Sequence, residues 1–160
     1  MLTAVCKGDA KGLAALMRKD PGFKVNGQDE NGWALLHIAC NSNSRSAVIP
    51  LLLAHPDIDV NLKSKVGKAS FYYACRDGST SCVREMLKDS RVKVNEPDND
   101  GYTPLWCAAV NRHLDIIRWW IASGREMDLG TPGDVYKTDA IGAAKKVVNP
   151  FLRREERQKW

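Results

Sequence analysis

No stretch of this 160-residue chain approaches the roughly 20 consecutive apolar residues that a membrane-spanning helix requires. The longest apolar run, Ala47–Ala54, is interrupted by Pro50. The opening Met1-Leu2-Thr3-Ala4-Val5-Cys6 has neither a basic leader nor a long apolar core, so no secretory signal is expected there. Histidine is scarce: His37, His55 and His113 are all there are, with no Ser, Cys or Asp grouping around them at catalytic spacing. No His-x-x-x-His, calcium-loop or phosphate-cradling glycine motif occurs. Gly130-Thr131-Pro132-Gly133-Asp134 is glycine-rich but lacks a preceding strand and a lysine, and reads as a turn. The five cysteines (Cys6, Cys40, Cys75, Cys82, Cys107) are odd in number and form no Cys-x-x-Cys pair, which excludes a secreted disulfide framework or a zinc site. They read as small, buried, reduced thiols, and with them a cytoplasmic or nuclear location is expected. These absences lead to the expectation of a non-enzymatic protein without cofactor or metal.

What is present is an ordinary globular composition, 44% hydrophobic and 27% charged, with a net charge of +5. The excess of positive charge hints at a polyanionic partner, but its distribution weakens the hint. From Lys137 onward there are seven Lys or Arg against three acids, a balance of +4, which leaves only +1 for residues 1–136. Nucleic-acid or anionic-surface binding is thereby confined, as an alternative reading, to the C-terminal segment.

The cysteine interval of 35 between Cys40 and Cys75 is one sign of a wider regularity. Val-Asn recurs at Val25-Asn26, Val60-Asn61 and Val94-Asn95; glycine recurs at Gly32, Gly67 and Gly101; alanine recurs at Ala39, Ala74 and Ala108. All three markers step by 34 or 35 residues, and a fourth Val-Asn position falls at Met127-Asp128. One period shared by independent markers identifies a tandem array.

The clearest unit begins with the polar turn Glu96–Gly101. Thr103 can then cap a first helix, with Pro104 at its first position, where no amide needs a partner. Leu105, Ala108 and Ala109 give that helix a small apolar face. A second helix is expected over Leu114–Ala122, with Ile116, Ile117, Trp120 and Ile121 at helical spacing and Gly124 as its stop. On this register Trp120 faces the core, while Trp119, aligned with Glu85, faces outward. Such a helix pair cannot bury its apolar surface alone and must stack on copies of itself.

Gly101-Tyr102-Thr103-Pro104-Leu105-Trp106-Cys107-Ala108-Ala109 resembles the core motif of the ankyrin repeat, Gly-x-Thr-Pro-Leu-His-x-Ala-Ala. The unit at Gly32 keeps the histidine, as His37, but has Ala34-Leu35 for Thr-Pro; the unit at Gly67 has neither, and weaker capping is expected there. Pro50 should delay or kink its second helix. The resemblance implies an all-α ankyrin-repeat solenoid with projecting turns. It forms a single domain over 1–160: a partial repeat at 1–26, full repeats at 27–61, 62–95 and 96–128, and a partial or capping repeat at 129–160. Thr138–Ala144 aligns with Thr103–Ala109 in that last unit. His37 is implied to be a structural hydrogen bonder, and His55 and His113 read as surface loop residues.

In proteins that resemble this one, partners bind the turn tips and the exposed side of the first helices, which line a concave face. By position, that face holds Glu30, Asn31 and Trp33; then Lys65, Val66, Lys68 and Arg76; then Asn99, Asp100, Tyr102, Val110 and Asn111. Trp33 and Tyr102 are the strongest candidates, and Lys68 with Arg76 makes the middle of the face positive, which suits a protein with an acidic centre. The resemblance also implies a possible asparaginyl hydroxylation at Asn61, because Leu53 and Asp59-Val60 stand at the spacing such enzymes prefer; Asn95 fits less well. The expected role is an adaptor, scaffold or targeting module, monomeric and without a membrane span, alone or as a regulatory segment of a longer protein.

Overall fold

The computed structural model describes residues 1–20 and 22–128. Thr138–Ala144, the turn at 130–134, and the basic C-terminal segment lie outside the described residues. Eight α-helices occur among the latter: α1 (Leu2–Lys7), α2 (Ala10–Lys19), α3 (Leu35–Cys40), α4 (Ile49–Leu53), α5 (Ser70–Arg76), α6 (Thr80–Leu87), α7 (Pro104–Val110) and α8 (Leu114–Ala122). They form successive helix pairs. First helices α1, α3, α5 and α7 pack in one row, second helices in another, and the core runs between the rows. No strand is present among the described residues; one isolated antiparallel bridge, Lys63 to Ala69, closes a turn. No described helix is long and apolar enough to cross a membrane.

The local rules are visible in each unit. Thr103 caps α7, its Oγ1 accepting from the Trp106 amide at 3.2 Å, and Pro104 occupies the first turn. Pro50 does delay its helix: the chain runs as a 3₁₀ helix over Asn43–Val48 before α4 begins. Gly32, Gly67 and Gly101 have φ of 77°, 75° and 84°. There each turn folds back, as in the Ser64 amide's bond to the Lys68 carbonyl at 3.0 Å.

Three sets of side chains fasten one unit to the next. Asn26, Asn61 and Asn95 each reach the following loop, donating to the carbonyls of Asp57 (2.6 Å), Arg91 (2.9 Å) and Glu126 (3.2 Å). Each also accepts from an amide there: Asp59 (2.9 Å), Lys93 (2.8 Å) and Asp128 (2.9 Å). Arg91 and Arg125 reach back to the preceding unit, to the carbonyls of Leu53 (2.7 Å) and of Asp89 (3.1 Å) and Val92 (2.6 Å). His113 departs from its expected place as a surface loop residue. It is half-buried, its Nε2 donates to the Arg76 carbonyl at 3.0 Å, and its ring lies where a Cβ on Gly78 would stand. His55 likewise works within its loop, its Nδ1 accepting from the Asp57 amide at 3.2 Å.

Candidate protein-binding face

The turn tips form a continuous row because each hands a backbone hydrogen bond to its neighbour. The Lys65 amide donates to Asn31 at 3.1 Å, and the Asn99 amide donates to Val66 at 3.3 Å. Asx turns stiffen the outer two: Asp29 Oδ1 accepts from the amides of Asn31 and Trp33, both at 2.8 Å, and Asp98 Oδ1 from those of Asp100 (3.1 Å) and Tyr102 (2.9 Å). Glu30, Asn31, Lys65, Val66, Asn99 and Asp100 are exposed along this row. Asn99 is also structural, its amide donating to the Lys65 carbonyl at 3.3 Å.

Behind the tips, Trp33, Lys68 and Tyr102 occupy one register position, a single residue after the turn glycine. None stands free. Trp33 is half-buried, its ring 4.5 Å from that of Tyr73 and 6.2 Å from that of His37. Tyr102 stacks on Trp106 at 4.2 Å with the planes 26° apart. Lys68 Nζ lies 3.5 Å from Asp98 Oδ2 and 5.2 Å from the centre of the Tyr72 ring. Arg76 holds Asp77 through two bonds of 2.6 and 2.9 Å and lies 4.8 Å over the Tyr73 ring. The expected positive centre is therefore corrected. Both of its cations are paired with carboxylates, and the exposed charges that remain, on Glu30, Lys65 and Asp100, alternate in sign. On the first-helix side, Asn111 donates to the Cys107 carbonyl at 2.9 Å and Val110 is half-buried.

Beneath the face, different residues solve the same inter-unit problem. His37 Nδ1 accepts from the Ala34 amide at 3.0 Å, which leaves Nε2 to donate to the Lys68 carbonyl at 3.2 Å. That fixes the tautomer and supplies the contact that Ala34 lacks as a cap. Burial lowers the His37 pKa from its ordinary value, opposed by its backbone hydrogen bonds. In the next unit Tyr72 stands at the corresponding place. Its hydroxyl donates to Asp98 Oδ2 at 2.7 Å and receives the Cys107 thiol at 2.9 Å. Burial above all pushes the Tyr72 pKa up. Tyr73, with its hydroxyl 3.0 Å from Ser64 Oγ, braces Trp33 and was not among the sequence candidates. Three consecutive aromatics, Phe71-Tyr72-Tyr73, were the available signal. Asn41 was also missed; it donates to Asp77 Oδ2 at 3.1 Å and so joins two units on this side.

A model of three successive ankyrin repeats matches residues 48–130, more than half of the chain, and a single-repeat model matches residues 31–62. The chain belongs to the ankyrin repeat family. Among curated relatives, the bovine (Bos taurus) SMC5-SMC6 complex localization factor protein 1 is 38% identical over 103 residues, 63% of this chain and 10% of the relative. Mouse (Mus musculus) Rabankyrin-5 is 29% identical over 101 residues, 63% of this chain and 9% of the relative. The palmitoyltransferase AKR1 of Saccharomyces cerevisiae is 26% identical over 102 residues, 61% of this chain and 13% of the relative. The chain thus spans about a tenth of the length of the first two. These ankyrin relatives fit a protein-interaction module, and the enzyme among them is a more distant match.

Proposed function

We propose that this ankyrin array is a non-enzymatic adaptor or targeting module that binds a protein partner through the concave face of turn tips and first helices. The observation that carries this reading is the register row Trp33–Lys68–Tyr102. Three consecutive turns present large side chains at one position, held by packing and ion pairing beside an exposed, hydrogen-bonded row of tips. Bracing of this kind lowers the entropy lost on binding. The alternating charges on Glu30, Lys65 and Asp100 favour a partner of mixed charge at the tips. The array acts as a monomer in the cytoplasm or nucleus. Because the relatives are some tenfold longer than the matched stretch, the module reads best as a targeting segment of a longer protein.

Co-purification with Trp33, Lys68 and Tyr102 together changed to Ala tests the face. Because Trp33 also packs on Tyr73, a second variant, Glu30→Lys with Lys65→Glu and Asp100→Lys, alters the tips without touching packed rings. Both are expected to keep the helical circular dichroism and to weaken partner capture by about tenfold or more. Retention of every partner by both folded variants contradicts the reading.

A further inference from the structure

On the side of the second helices, away from the turn tips, α6 and α8 leave a groove of about 310 Å³ between them. Its lining is Arg84, Leu87, Lys88, Trp119, Ala122 and Ser123, two cations and no carboxylate. Trp119 is 43% exposed, an unusual position for a tryptophan. The Arg84 guanidinium lies 4.1 Å over its ring. Among the described residues Arg84 has no carboxylate partner and no hydrogen bond, so its donors are uncommitted while its position is held by the indole. Lys88 is paired from the side by Glu85 at 2.7 Å, a solvent-exposed contact that leaves the patch with a net positive charge on Arg84. The negative end of α6 does not cancel it, because Arg125 already covers the carbonyls of Leu87 (3.4 Å) and Asp89 (3.1 Å).

We infer that this groove is a second docking site, which takes an acidic protein segment carrying an aromatic or aliphatic side chain. The apolar side chain lies against Trp119, Leu87 and Ala122, and a neighbouring carboxylate engages Arg84. At about 310 Å³ the groove stands at the lower end of the small-molecule range and has room for one or two side chains of a docked segment. Charge selects the occupant. The uncommitted Arg84 guanidinium is complementary to a carboxylate, whereas the chain's own residues from Lys137 onward carry a net +4 and match it poorly.

The full chain labelled with 5-fluorotryptophan provides the test, with the Trp119 resonance assigned by Trp119→Phe. The probes are synthetic twelve-residue peptides: Glu/Asp-rich with one central Phe or Leu, the same peptides with that residue changed to Ser, and Lys-rich counterparts. The acidic peptides with Phe or Leu are expected to shift the Trp119 resonance and to bind about tenfold more weakly to Arg84→Glu and to Trp119→Ala, with affinity falling as salt rises. Any one of four results overturns the proposal. The acidic apolar peptides, at concentrations up to about 1 mM, bind no better than the Lys-rich ones. Alternatively, neither substitution changes their binding. Finally, in the free chain, the Trp119 fluorine shows no solvent isotope shift, or sedimentation shows a dimer that Trp119→Ala dissolves; either would assign the groove to the chain itself.

Discussion

A single asparagine shows how much one side chain can hold in this protein. Asn61 spends both ends of its carboxamide on the next loop, accepting from the Lys93 amide and donating to the Arg91 carbonyl. Asn61→Ala leaves both groups without their partner and is expected to cost about 1–2 kcal/mol, read from the urea midpoint. His37 carries a pH dependence. Its buried ring binds a proton less readily when folded than when unfolded, so its share of stability is complete above the unfolded pKa, about 6.5, and declines as the pH falls through the lower folded value. Thermal midpoints are therefore expected to fall between about pH 7 and pH 5.5, with a shallower slope in His37→Gln. The thiols divide in the same way. Burial raises the pKa of Cys40, Cys75 and Cys107 and pushes Cys82 up to about 12, while Cys6 is exposed. A thiol reagent at mild alkaline pH is expected to modify Cys6 quickly and the other four only on unfolding.

Among the elements, the turns and caps tolerate least. Gly67 has φ of 75°, and a Cβ there would meet the Asn99 backbone nitrogen at 2.8 Å. Gly67→Ala is expected to cost about 1–3 kcal/mol in chemical denaturation and to disturb the tips on both sides of it. Thr103→Ala removes the one hydroxyl cap seen on a first helix among the described residues and is expected to cost about 1 kcal/mol. α5 has no side-chain cap at Ala69, as expected of that unit. The same helix buries Phe71, Tyr72 and Tyr73, and Phe71 meets Trp120 edge to face at 5.1 Å. Aromatic burial and the Tyr72–Asp98 bond offset what the missing cap withholds.

For the molecule as a whole, stability is a chain of neighbour contacts. Among the described residues α5 and α6 have packed units on both sides, whereas α1 and α2 pack against a unit on a single side. Amide hydrogen exchange is expected to be slowest over Phe71–Cys75 and fastest in α1 and α2. A reversed order would show that the array does not unfold from this end. Polar side chains that cross between units (Asn61, Arg91, Arg125 and His113) couple the repeats, so losses at Asn61 and Arg91, which meet at one loop, are expected to be non-additive.

The sequence by itself determined the family, the period and the helix pairing, because each depends on residues acting locally: turn glycines, the Thr-Pro start, apolar spacing within one helix. It also placed Trp120 inside and Trp119 outside, since helical periodicity sets the side of a residue. It did not determine what the face presents. Lys68 and Arg76 read as free cations until folding brings Asp98 to the first, some thirty residues along the chain, and turns the second onto Asp77. Trp33 reads as an isolated aromatic until Tyr73 arrives from the next unit. His113 reads as a loop residue until the carbonyl of Arg76 lies beneath it. Each of these depends on which atoms a neighbouring repeat delivers, and that is decided only when the repeats are stacked.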